Sequence, residues 1–141
     1  MRIIVTLAAL AALACSDHVT DPRPFGDALP ISATLLQTGD TTQSIYVSSR
    51  DNLIYFTGVI TTPDPCYDLA AYRTISGREL RVTIVATRRA RQANGCATTI
   101  SRFRYETFTD NPDCPHLTVW YHFEGVALPD LKRVDQTWPC S

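Results

Sequence analysis

Glu79-Leu80-Arg81-Val82-Thr83-Ile84-Val85-Ala86-Thr87-Arg88 is the run that decides the fold class. Leu80, Val82, Ile84 and Ala86 alternate with Arg81, Thr83, Val85 and Thr87. Successive side chains of a strand point to opposite faces, so apolar residues at period two read as a half-buried strand. The pattern recurs on both sides of this run. Leu117, Val119, Tyr121 and Phe123 alternate with Thr118, Trp120, His122 and Glu124; Phe103 and Tyr105 alternate with Arg102, Arg104 and Glu106; Ile45 and Val47 share one face of a shorter run. Leu53 to Ile60 (LIYFTGVI) is nearly continuous in apolar residues, as expected of a strand covered on both faces or passing through the core centre.

Turn-forming residues separate these runs: Arg50-Asp51-Asn52, Ser76-Gly77, Asn94-Gly95, Asp110-Asn111-Pro112-Asp113 and Leu128-Pro129-Asp130. Asp68 to Tyr72 is compatible with a helical turn but reads better as the strand that opens a hairpin to Leu80–Ala86. About seven strands with turns between them predict an all-β domain, an antiparallel Ig-like β-sandwich, with a small β-barrel as the alternative. The 141 residues fit one domain. A composition 45% hydrophobic and 19% charged, with net charge −1, is that of an ordinary globular protein. It gives no reason to expect a nucleic-acid partner.

The N-terminus reads as an address. Met1-Arg2 precedes a twelve-residue apolar run, Ile3–Ala14, that carries no charge. A membrane-spanning helix needs roughly 20 such residues, whereas a signal-peptide core needs about 7–15 and ends in small residues. The run ends Ala12-Leu13-Ala14-Cys15. This ending resembles the lipobox of bacterial lipoproteins, although Ala12 stands where Leu is commonest. The resemblance implies a signal peptide over 1–14, cleavage before Cys15, a lipid on the Cys15 sulfur and acylation of the new amine. Ser16, read by the family's sorting rule, implies transfer to the outer membrane; a periplasmic or secreted protein is the alternative. Residues 15–30 then form a lipidated, Pro-rich tether reaching up to roughly 45 Å at ~3.1 Å per residue. Docking of Phe25 and Leu29 on the domain would shorten it. His18 reads as solvated. The domain proper is expected over 31–141.

Five cysteines is an odd number for an exported chain. A thioether at Cys15 leaves Cys66, Cys96, Cys114 and Cys140, which an oxidising compartment pairs. Of the three possible pairings, hairpin geometry favours one. Strands on either side of Ser76-Gly77 bring Cys66 toward the loop carrying Cys96. A chain folding back after Leu128-Pro129-Asp130 brings Cys140 toward Cys114. The expected bridges are Cys66–Cys96 and Cys114–Cys140, each worth about 3–4 kcal/mol in the chain-entropy picture. A zinc site is disfavoured, because no two of these cysteines are closer than 18 positions and structural zinc ligands come in close pairs.

No nucleophile-elbow, zinc-protease or phosphate-loop motif is present. No catalytic residue, cofactor or metal is therefore expected. The candidate binding surface is the strand face with His116, Thr118, Trp120 and His122, expected to adjoin Arg102 and Arg104 on a neighbouring strand. Trp beside Arg and His could hold a sugar or a peptide through stacking and cation–π contact; otherwise Trp120 caps the sheet while charges pair across strands. Arg88-Arg89-Ala90-Arg91 offers a second cluster, most simply read as solvated loop charge. His116 and His122 are not expected to converge on a buried carboxylate; an imidazole in a cleft within reach of a Ser hydroxyl or an Asp would favour an enzyme. The expectation is a lipid-anchored envelope protein with a non-catalytic domain and an unidentified protein or glycan partner. The alternatives are a small secreted hydrolase, or an inhibitor of exported enzymes presenting the Thr61–Pro65 loop.

Overall fold

The computed structural model describes residues 24–36, 44–89, 95–112 and 115–138. Cys15, Cys114 and Cys140 lie outside them, as do the signal-peptide and lipid-attachment positions. All regular elements among the described residues are strands: β1 (Asp27–Leu29), β2 (Ile31–Leu35), β3 (Tyr46–Arg50), β4 (Leu53–Thr62), β5 (Tyr67–Ser76), β6 (Glu79–Arg88), β7 (Ser101–Asp110), β8 (His116–Phe123) and β9 (Leu131–Thr137). They form two sheets. Sheet A has the order β1-β5-β6-β8-β9 and sheet B the order β2-β7-β4-β3. Neither closes into a barrel.

Alternation explains how the sheets face each other. On β6, Leu80, Val82, Ile84 and Ala86 are buried and meet Leu117, Val119 and Tyr121 of β8 together with Ile54, Phe56 and Ile60 of β4 and Phe103 and Tyr105 of β7 in one core. Local turn chemistry builds the hairpins. β5 and β6 pair antiparallel from Tyr67↔Arg88 to Ser76↔Glu79, leaving two residues for the turn. Asp51 and Asn52, both at positive φ, close β3 onto β4, as residues that tolerate the left-handed region can.

Two points depart from the antiparallel, roughly seven-strand expectation. Nine strands are present among the described residues, because Asp27–Leu29 and Ile31–Leu35 also pair. In addition β6 and β8 run parallel, Glu79↔His116 to Ala86↔Phe123. The reason is topological. β7 crosses to sheet B, so the chain returns to sheet A at the end where β6 began and β8 must point the same way. Docking of the N-terminal segment, rather than a free tether up to Pro30, is what the structure adopts: Phe25 packs on Tyr72 and His122, and Leu29 packs on the core. Gly26 makes that entry feasible. Its φ is 91°, and a Cβ there would strike the Arg73 carbonyl.

One polar contact joins the sheets through the core. The Tyr105 and Tyr121 hydroxyls are 3.0 Å apart, and Tyr121 Oη donates to the Val59 carbonyl. Burial pushes the Tyr105 phenol well above its ordinary pKa and raises that of Tyr121, so both remain neutral hydrogen-bonding groups. Gly58 faces Tyr105 in register, and a Cβ at Gly58 would lie 2.5 Å from the Tyr105 hydroxyl. The glycine is the space the ring needs.

Candidate functional site

The outer face of sheet A collects the polar side chains that the strand pattern singled out. Trp120 lies between β6 and β9, with Arg81 4.3 Å and Lys132 5.4 Å from its ring centroid. A register shift sets the second contact. Val119 pairs with Val134 but Trp120 pairs with Lys132, so β9 carries Arg133 as an extra residue. Such bulges re-aim side chains on edge strands; this one places Lys132 beside the indole. The Trp120 Nε1–H is buried without a hydrogen-bond partner among the described residues. The ring thus carries cations from both neighbouring strands, the sheet-capping arrangement rather than an open stacking platform.

Both histidines of this face bond carboxylates, neither of them buried: the Asp130 side chain is 31% exposed and the Asp135 side chain 44%. His122 Nδ1 is 2.7 Å from Asp130 Oδ1, while Arg81 donates to the other oxygen of Asp130 at 3.2 Å. A carboxylate can only accept here, so Nδ1 carries the hydrogen. His116 Nε2 is 2.7 Å from Asp135 Oδ1, and Lys132 Nζ is 2.6 Å from Asp135 Oδ2. The Lys132 hydrogen bond, helped by His116, holds the Asp135 carboxyl below the usual carboxylate range. The sequence missed these pairs because Asp130 and Asp135 are brought back only when β9 folds onto β8.

The structure separates the other half of the expected surface. Arg102 and Arg104 lie on β7, which pairs with β2 and β4 in sheet B. Phe103, Tyr105 and Thr107 take the inner positions of β7, so the two arginines face outward from the far side of the sandwich. Trp120, His116 and His122 come together; Arg102 and Arg104 do not join them.

Cys66 and Cys96, and Arg88 and Arg89, have structural partners. Cys66 and Cys96 form a disulfide, as the β5–β6 hairpin required. Their sulfurs, with Asp64, lie within 4.8 Å of one another, but the sulfurs are bonded to each other and the carboxylate is otherwise employed. Asp64 Oδ1 accepts the Cys66 N–H and Oδ2 pairs with Arg88 at 3.2 Å. Arg89 pairs with Asp68 at 2.7 Å. These arginines are not simply solvated; Arg91 lies outside the described residues. In the Thr61–Pro65 segment Thr62 and Asp64 are buried and Pro63 is exposed.

Beside the Arg81–Asp130–His122 group a recess of about 380 Å³ opens under Phe25. Among the described residues, the hydrogen bonds of His122 go to Asp130 alone, and the Phe25 ring sits 4.7 Å from the imidazole centroid. No Ser, Thr or Cys stands in a hydrogen bond with either histidine among the described residues. Comparison with family models, with curated proteins and with solved structures finds no match.

Proposed function

We propose that the chain is an exported, lipid-anchored envelope protein, held at the outer membrane through Cys15, whose Ig-like β-sandwich domain binds a partner and does no chemistry. The observation behind the binding role is the recess beside Arg81 and Asp130: fixed polar groups converge on it beside the Phe25 ring, and its volume falls in the range of small-molecule sites. Ala12-Leu13-Ala14-Cys15 supports the anchor, and several acyl chains make physical sense where one binds a membrane only marginally. Export also calls for a second disulfide, Cys114–Cys140. The β8–β9 ladder supports that pairing, since His116 pairs with Thr137 and the Trp138 N–H donates to the Pro115 carbonyl.

One observation favours a hydrolase as a second reading: His122 and Asp130 form the base-and-orienter half of a nucleophilic site. What supports the binding reading over it is that, among the described residues, no hydroxyl or thiol is bonded to His122 and Phe25 packs against the imidazole.

Expression of the full chain in a bacterium with lipoprotein processing tests the proposal. The protein should fractionate with membranes and gain the mass of lipid, and Cys15→Ser should release it. Unreduced peptide mapping should link Cys114 to Cys140. A soluble, unlipidated wild-type product defeats the anchor. Esterase, glycosidase or peptidase turnover that His122→Ala abolishes would make the hydrolase the better account.

A further inference from the structure

Thr83 is 3% exposed and lines the recess on the outer face of sheet A. Its hydroxyl has no hydrogen-bond partner among the described residues, whereas its polar neighbours are engaged. Thr74 donates to the Phe25 carbonyl, Thr118 donates to Glu79, and Arg81 donates to Asp130. The Thr83 oxygen is not sealed off, so its hydrogen bonding is completed from the recess, by solvent or by a bound group. A threonine at this position makes physical sense if something that enters the recess completes its hydrogen bonding.

We infer that the recess is a binding site for a hexose-sized sugar unit, neutral or amine-bearing. Five properties point to that chemistry. The volume, about 380 Å³, suits one ring rather than an extended chain. The Thr83 hydroxyl both donates and accepts, as sugar hydroxyls do. Glu79 carries a carboxylate whose one recorded hydrogen bond among the described residues is from Thr118, so it retains acceptor capacity toward hydroxyl or ammonium donors. Arg81 and Asp130 hold each other in place and present a donor and an acceptor at fixed positions. Phe25 supplies an apolar wall held by Tyr72 and His122. The charge selects further. Two carboxylates against one guanidinium leave the lining net negative, which disfavours acidic or phosphorylated sugars.

The inference rests on the binding reading above and specifies its ligand. The test titrates the purified full chain with glucose, galactose, mannose, glucosamine and glucuronate, following binding by saturation-transfer NMR and by Trp fluorescence. At least one neutral or amino sugar should bind saturably, with glucuronate weaker by about tenfold. Thr83→Val should keep the melting temperature within a few degrees and weaken binding about fivefold, the loss of one hydrogen bond. Glu79→Gln should narrow the gap to glucuronate. Absence of binding by a folded protein overturns the inference, as does binding that Thr83→Val leaves intact or that favours glucuronate. The two levels fail separately. A sugar that binds and is consumed removes the non-catalytic reading and keeps the site. A protein that is anchored but binds none of the panel loses the site and keeps the anchor.

Discussion

The two outer faces of the sandwich are built from the same alternation and end up different in kind. On sheet A, Arg81, Asp130, His122, Lys132, Asp135 and His116 bond one another around Trp120, and the N-terminal segment is laid over part of the surface. On sheet B the outward face carries Tyr55 paired with Phe108, and Tyr46 one step along, opposite Thr57. Tyr46 is 67% exposed and Phe108 39%, and Arg50 lies over the Tyr55 ring. The contrast comes from what folds back. β9 and the residues around Phe25 bring carboxylates and rings to sheet A from distant parts of the chain. A face assembled from several chain segments holds its side chains in fixed positions before any ligand arrives, and such preorganisation is what recognition requires.

The comparison presupposes that both faces hang on one core, and the largest expected effect tests that. Gly58→Val places its Cβ against the Tyr105 hydroxyl and ring. It should destabilise the domain by about 3 kcal/mol in denaturant unfolding, the upper range for overpacking. Both faces should be lost in a single transition. Separate loss of one face would show that the sheets are not one cooperative unit.

Next in size is a matched pair of substitutions, one on each face. Arg81→Ala removes the contact with Trp120 and leaves the Asp130 carboxylate without its guanidinium; the expected cost is about 1–2 kcal/mol. Arg50→Ala on sheet B removes an exposed pair with Asp51 and a contact with Tyr55, and should cost at most about 0.5 kcal/mol. Equal costs, measured by chemical unfolding, would erase the distinction between the faces. Trp120→Phe sharpens it. The indole N–H is buried without a partner, so losing that donor offsets part of the lost packing, and a net cost below about 1 kcal/mol is expected.

The smallest effect concerns acid. Asp135 titrates below its ordinary range because Lys132 and His116 bond its charged form. A lowered folded-state pKa contributes stability that is present above the unfolded carboxylate value and fades as pH falls through the folded one. On melting from pH 6 down to pH 2, wild type should lose slightly more stability than Asp135→Asn. A variant that tracks wild type across the range would assign that edge no electrostatic role.

Sequence carried the strands far better than their neighbours. The β5–β6 hairpin and its disulfide were legible because a two-residue turn, a clean period-two pattern and the cysteine spacing agree within a short stretch of chain. The fold-back of β9 was legible from Leu128-Pro129-Asp130 in the same way. Asp27–Leu29 escaped because three residues are too few to show a period, and Ile31–Leu35 because its alternation of Ile31, Ala33 and Leu35 with Ser32 and Thr34 is confined to five mostly exposed residues beside a Pro-rich stretch. Arg102 and Arg104 were assigned to the wrong neighbourhood because periodicity states which residues share one face of a strand. It does not state which strand lies alongside. Thr83 was visible only as a polar position in an alternating run; its missing partner is a property of the packed face.

The parallel pairing of β6 with β8 has a kinetic consequence. The β5–β6 hairpin needs only local contacts and can form as soon as its chain is available, but the far edge of β6 then waits for a strand that arrives after β7 has docked on β4. Until that long-range closure, β6 presents unpaired N–H and carbonyl groups along an apolar run, the kind of edge that recruits other chains. The interval between making the hairpin and closing the sheet is where this protein is most exposed to aggregation. The Cys66–Cys96 bridge, which ties the start of the hairpin to the segment leading into β7, shortens the search that ends it.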